Sequence, residues 1–123
     1  MNGQNMQVKD LAKRTRAYAI RIIRLYTSLP KNSESQVIGK QLLRSGTSVG
    51  AHYAEAQRAK SDKDFVAKIE GGLQELEETS YWLDLLGEAK IVKPEILTPI
   101  AVETNELISI FVTITKKVKK RVD

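Results

Sequence analysis

No cysteine occurs in this sequence. Disulfides, thiolate metal centres and cysteine nucleophiles are excluded, which is compatible with a reducing compartment. Histidine is almost as scarce, with His52 alone. The carboxylate di-metal sites of helical bundles need an inward Glu-x-x-His on each of two helices plus two further glutamates. Here one histidine precedes its nearest glutamate, Glu55, so no metal is expected. Ser45 and Ser48 would have only His52 as a base, and neither a glycine-rich phosphate loop nor a nucleophile elbow accompanies them. No catalytic residue, no cofactor and no enzymatic activity are expected. Uninterrupted apolar runs long enough for a membrane span or the core of a signal peptide are also missing. A cytoplasmic protein without a membrane partner follows as an expectation.

What is present suits one helical domain over residues 1–123. The chain is 41% hydrophobic and 28% charged, the balance of a globular protein with a real core. Apolar residues recur at steps of three and four, as one face of a helix requires. The first series runs through Leu11, Thr15, Tyr18, Ile22, Leu25 and Leu29 and stops at Pro30, because proline disfavours helical geometry in the residue before it. Ser33 with Gln36 three residues on reads as a capping box that opens a second helix. Ser61, followed by Asp62 and Asp64, reads as the cap of a third, whose stripe is Phe65, Ile69, Gly72, Leu76, Thr79, Leu83 and Leu86. Gly87 marks its end, and Pro94 suits the first turn of a fourth. The fourth stripe is Leu97, Ile100, Thr104, Leu107, Phe111, Ile114 and Val118. The predicted helices span 7–28, 34–58, 62–88 and 95–120. With short connections and no strand signal, an all-α fold follows: an antiparallel, up-down four-helix bundle.

The stretch from Leu42 to Arg58 contradicts simple helix propensity. Gly46 and Gly50 each cost roughly 1 kcal/mol against alanine inside a helix. Compensation is expected from a neighbouring helix that approaches closely along Ser45, Gly46, Gly50 and Ala54. Gly71-Gly72 of the third helix is the expected neighbour, where the pair either kinks the chain or accepts close packing.

Charge is segregated. The net charge is +5, yet residues 1–31 carry +6 and residues 62–93 carry −4. Lys9, Lys13, Arg14, Arg16, Arg21 and Arg24 on the first helix, with Arg58, Lys60 and Lys63 around the turn into the third, are the candidate nucleic-acid-binding residues. The C-terminal lysines join them. Each cation that meets a phosphate releases counterions, so binding would be steeply salt-dependent; weak sequence preference follows from the lack of a recognition-helix or RNA-recognition signature. A solvated face on a soluble protein is the alternative.

The motif Arg44-Ser45-x-x-Ser48-Val49-x-Ala51-x-Tyr53-x-Glu55-Ala56, then Ser61-x-x-Asp64-Phe65 and Leu73-x-Glu75-Leu76-x-Glu78-Thr79-x-Tyr81-Trp82-Leu83, resembles a family of bacterial four-helix bundle proteins. These were first noticed as reading frames in intervening sequences of 23S rRNA genes, the S23 ribosomal protein-like family. The likeness covers roughly residues 18–90. It implies an up-down bundle assembled as a ring-like homopentamer. A related branch is the accessory protein of diversity-generating retroelements, which engages nucleic acid and a reverse transcriptase through a basic surface. No biochemical activity carries over for the intervening-sequence branch itself. His52 stands where many relatives have asparagine, and can replace only part of its hydrogen bonding.

Within that motif Arg44 has two readings. Its guanidinium contacts a phosphate or base, or it pairs with Glu55, Glu75 or Glu78 to fix helix register or a subunit interface. Ser48 belongs to the same motif cluster. Tyr81 and Trp82 flank the apolar stripe and are expected at an interface between copies. The functional expectation is a non-enzymatic accessory protein that binds structured RNA, of ribosomal or retroelement type, as a basic homo-oligomer. RNA or DNA is the expected ligand, and the alternative is a protein-interaction scaffold with a protein partner and no nucleic-acid ligand.

Overall fold

The computed structural model describes residues 3–122, with side chains over residues 11–121. Four α-helices make up the described chain: α1 (Gly3–Ser28), α2 (Ser33–Gln57), α3 (Asp62–Glu88) and α4 (Pro94–Val122). No strand occurs among the described residues. The boundaries agree closely with the periodicity, but the local chemistry at two of them differs. Asn32 rather than Ser33 caps α2, its side-chain oxygen accepting from the Ser35 backbone N–H at 2.9 Å. Gln36 is then free of the capping box. Its amide donates to the Pro30 carbonyl at 3.0 Å and accepts from the Tyr26 hydroxyl at 3.0 Å, tying the turn to α1. At the other end of the bundle Ser61 caps α3 as expected, accepting from the Asp64 N–H at 3.0 Å.

Gly87 does not end α3. The helix runs on to Glu88, and Lys90 takes the left-handed position at φ 59°. The Ile91 and Val92 N–H groups close back on the Leu86 carbonyl. Gly87 serves α4 instead, since a Cβ there would lie 3.1 Å from Leu97.

Contacts run between α1 and α2, α2 and α3, and α3 and α4, whereas α1 and α4 touch sparsely. One shared core holds Leu11, Tyr18, Ile22, Leu42, Val49, Tyr53, Ile69, Leu76, Leu86, Leu107 and Phe111, all at 2% exposure or less. Four buried threonines, Thr15, Thr79, Thr104 and Thr115, each lie 2.7–2.8 Å from the carbonyl one turn earlier. A hydroxyl satisfied within its own helix can be buried without the usual penalty.

The glycines find other partners than expected. On α2, a Cβ at Gly46 would lie 2.8 Å from two Ile22 carbons, and one at Gly50 would lie 3.3 Å from the Thr15 hydroxyl. Gly46 and Gly50 therefore receive α1, while Ser45 of the same stretch meets Thr79 of α3. Gly71 instead makes room for the His52 ring, and Gly72 for Phe111. Two stripe residues also move by one position. Val66 and Thr115 are buried, while Phe65 and Ile114 are left half-buried at one end of the bundle.

By length and composition α4 would pass for a membrane span, contrary to the expectation that no such stretch exists. Core helices meet the same criteria. In this fold α4 turns Leu107 and Phe111 into the shared core, and its Glu103 meets Arg14 of α1.

Near that ion pair, the buried Tyr18 hydroxyl lies 2.6 Å from the Thr104 hydroxyl, which itself donates to Ile100. Burial pushes the Tyr18 phenol up to about 12 from its ordinary value of 10. Ionisation is favoured in the unfolded chain, so the stability tied to a neutral Tyr18 is full below pH 10 and is lost as pH rises through about 12. That loss amounts to roughly 3 kcal/mol. Tyr18→Phe is expected to cost about 1 kcal/mol at neutral pH and to flatten this alkaline decline, as read by urea unfolding between pH 9 and 12.

Candidate nucleic-acid interface

The turn 58–61 and the last turns of α4 meet at the same end of the bundle. Between them opens a cleft of about 710 Å³. Its apolar wall includes Phe65, Ile114 and Val118, the first two being the residues displaced from the core by the register of α3 and α4. Tyr53 closes the floor, 2% exposed and 6.2 Å from the Phe111 ring centroid. Burial pushes the Tyr53 phenol up, partly offset by a hydrogen bond with Gln57. Lys60, Lys117 and Arg121 stand on the rim.

Eight cations crowd this end: Arg58, Lys60, Lys63, Lys116, Lys117, Lys119, Lys120 and Arg121, all exposed. Four carboxylates stand near them in the chain or paired with them, Glu55, Asp62, Asp64 and Glu70. Two cations fasten α4 to α3. Lys119 Nζ lies 2.7 Å from Glu70 Oε2, and Arg121 Nη2 lies 3.7 Å from Asp62 Oδ1. Lys119, Lys120 and Arg121 also occupy the last turn of α4, where the helix dipole favours positive charge. Arg58, Lys60, Lys63, Lys116, Lys117 and Lys120 form no ion pair among the described residues.

The basic residues expected on α1 divide into different environments. Arg14 is engaged inside the molecule: its Nε and Nη2 donate to Glu103 at 2.9 and 2.8 Å, and Nη2 also reaches Glu106 at 2.5 Å. The hydrogen bonds it donates to Glu103 are the first cause of its raised proton affinity. That bidentate pair takes Arg14 out of the set free to meet a phosphate, a correction to the reading from charge alone. Arg21 is half-buried, whereas Lys13, Arg16 and Arg24 are exposed on α1, and none of them lines the cleft. The side chain of Lys9 lies outside the described residues.

The motif residues form a separate network between α2 and α3. Arg44 donates to Glu75 at 3.3 Å and to Glu78, and the Trp82 indole N–H donates to the same Glu78 oxygen at 2.9 Å. Beneath it the Thr79 and Ser45 hydroxyls lie 2.7 Å apart, buried. The ion-pair reading of Arg44 describes this geometry. Two details differ from the motif taken as a unit. Glu55 is exposed and takes no part, and Ser48 spends its hydroxyl on the Arg44 carbonyl at 2.6 Å. His52 Nε2 stands 3.9 Å from Glu75 Oε2, while its Nδ1 is buried without a hydrogen-bond partner against Gly71. Trp82 is half-buried on its own bundle, so of the two expected interface aromatics Tyr81 alone is exposed, at 56%. Among the described residues no group of three or more His, Asp or Glu stands close enough to hold a metal ion.

Charge counting found the cations but not their state. Arg14 could have been separated from its neighbours only by pairing it with Glu103 and Glu106 across 89 and 92 residues of chain. Phe65 and Ile114 carried no sign of a cleft, because an apolar residue at a stripe position is ordinarily core.

Residues 7–113 match the family model described as 23S rRNA-intervening sequence protein. Among solved structures, the chain is similar to a protein with unknown function from the S23 ribosomal protein family of Bacteroides thetaiotaomicron VPI-5482. The two are 36% identical and superpose with a TM-score of 0.82, over 86% of this chain and 98% of the other. No curated protein matches.

Proposed function

The chain belongs to the 23S rRNA-intervening sequence protein family, and we propose that it is a non-enzymatic nucleic-acid-binding accessory protein that works in the cytoplasm as a homo-oligomer of up-down bundles. The up-down succession is supported by opposed numbering across each seam. Gly39 meets Leu29 while Gly50 meets Thr15; Arg44 meets Glu78 while His52 meets Gly71; Gly72 meets Phe111 while Gly87 meets Leu97. Structured RNA is the proposed ligand. It is taken at the end of the bundle where the 58–61 turn and α4 converge.

One observation carries this reading: Lys60 and Lys117, free of ion pairs and from two distant segments, line an amphipathic cleft, with the unpaired Arg58, Lys63, Lys116 and Lys120 next in the chain to its lining residues, while Lys119 and Arg121 are spent on α3. Long flexible side chains of one sign attract a polyanion mainly through counterion release. Arg58, Lys60 and Lys117 are the residues expected to meet phosphates, and the apolar wall beside them can lie against a sugar or an unpaired base.

The test is a salt series of binding to a labelled structured RNA and to a duplex DNA of equal charge. The triple variant Arg58→Ala, Lys60→Ala and Lys117→Ala is run alongside. Expected are a steep fall in wild-type affinity with salt, a weakening of about tenfold or more in the variant, and a salt slope smaller by about 2–3. The RNA-to-DNA ratio names the ligand. If neither nucleic acid binds, or the variant binds as well as the wild type, the scaffold function replaces this one.

A further inference from the structure

Six large apolar side chains stand exposed among the described residues, and two sets of them sit inside rings of opposite charge. On α1, Ile20 and Ile23 are 47% and 44% exposed. Arg16 and Arg24 lie one turn to either side of Ile20, with Lys13 a turn beyond, and none of the three forms an ion pair among the described residues. On α3, Tyr81 stands edge-on to Trp82 with ring centroids 4.9 Å apart. Glu77 and Asp84 lie within one turn of Tyr81, with Glu88 a turn further, all exposed and likewise without ion pairs. Arg44 already holds Glu78 on the neighbouring side.

We propose that the outer face of α1, centred on Ile20 and Ile23, docks onto the outer face of α3, centred on Tyr81, in a second copy of this chain. This rests on the homo-oligomer reading above and assigns it two surfaces. Each face has an apolar centre and a charged rim, the anatomy of an interface core and its border. Like rims oppose pairing of α1 with α1 or of α3 with α3, and opposite rims favour α1 with α3. Within one chain the two helices approach each other on their buried sides, where Tyr18 faces Thr79, so neither outer face is covered by the other at home. The resulting contact is heterologous. Every copy then offers one face of each kind, and association continues until a ring closes or a filament grows. Arg16 and Arg24, expected from charge alone to meet nucleic acid, face a neighbouring copy in this arrangement.

Light scattering on the full chain, at low and at near-physiological salt, tests the pairing. Arg16→Glu with Arg24→Glu, and separately Glu77→Lys with Asp84→Lys, are each expected to weaken self-association by about a hundredfold or more, because like charges then face each other. The chain carrying all four changes has both rims reversed and is expected to regain the wild-type mass. Circular dichroism and melting of each variant verify that these exposed changes leave the fold intact. A monomeric wild type, a pair variant that keeps its mass, or a folded four-residue variant that stays dissociated would each overturn the proposal. The outcome is separable from that of RNA binding. Loss of RNA affinity in the Arg58, Lys60 and Lys117 variant is read at unchanged mass, whereas dissociation here is read without RNA.

Discussion

Phe111→Ala is expected to destabilise the bundle by about 3–5 kcal/mol, seen as a lower urea midpoint at nearly constant slope. Phe111 is completely buried on α4 and lies against the bare backbone of Gly72 on α3. A Cβ at Gly72 would come within 2.7 Å of its ring. Tyr53 faces the same ring from α2, tilted at 41°. Three helices thus meet at one side chain, and none of them can collapse into the space it leaves, because helices are rigid rods held apart by their other contacts. The cost therefore belongs near the top of the range for large-to-small changes. Against a typical total stability of about 5–15 kcal/mol, the variant is expected to populate unfolded chain measurably in mild denaturant. A change confined to the local ring environment, with an unaltered midpoint, would contradict the packing described.

Gly46→Leu is the complementary case, where volume is added instead of removed. The glycine of α2 sits against Ile22 of α1, and even a single methyl group would fall 2.8 Å from two of its carbons and 3.2 Å from a third. Ile22 is fully buried and branched at Cβ, so it has little rotamer freedom with which to yield. Leucine at this position must push α1 away along its length, at an expected cost of about 3 kcal/mol, the upper end of overpacking. Better helix propensity returns roughly 1 kcal/mol at most. Ile22→Ala alone is expected to cost about 2–5 kcal/mol. Combined, the two should cost clearly less than their sum, since the leucine fills the space that the isoleucine vacates. Strict additivity in the double-mutant cycle would show that the two residues do not share the contact.

Much of this arrangement is legible in the chain, for definite reasons. The apolar period gives four helices because each buries one continuous face, and a face records itself in every third or fourth residue. Arg44 with Glu75 and Glu78 was readable because the motif sets arginine and acids among small residues where helices come close. Other features depend on distances between helices, which no local pattern encodes. Gly46 and Gly71 advertise close approach without naming the visitor, and the visitors were Ile22 and the His52 ring. At helix ends the period leaves a one-residue ambiguity, so it points to Phe65 and Ile114 where Val66 and Thr115 are the buried residues. Burial of Thr115 is possible because the Phe111 carbonyl takes its hydroxyl proton. Asn32 outranked Ser33 as a cap by standing one position earlier, with both residue types suited to the role. Charge counting gave the sign of the surface, and only the fold separated Arg14, bound to Glu103, from Lys60 and Lys117, which are not.

The sparse seam between α1 and α4 gives the molecule a direction in which to breathe. Over the described residues its polar ties are Arg14 with Glu103 and Glu106 and Tyr18 with Thr104, whereas α2 and α3 share the most extensive contact in the fold. Local opening begins where buried contacts are fewest. The bundle behaves as a book with α2 and α3 for its spine and α1 and α4 for covers. The covers are expected to part before the spine opens, each outer helix keeping its grip on its own neighbour while the gap between them widens.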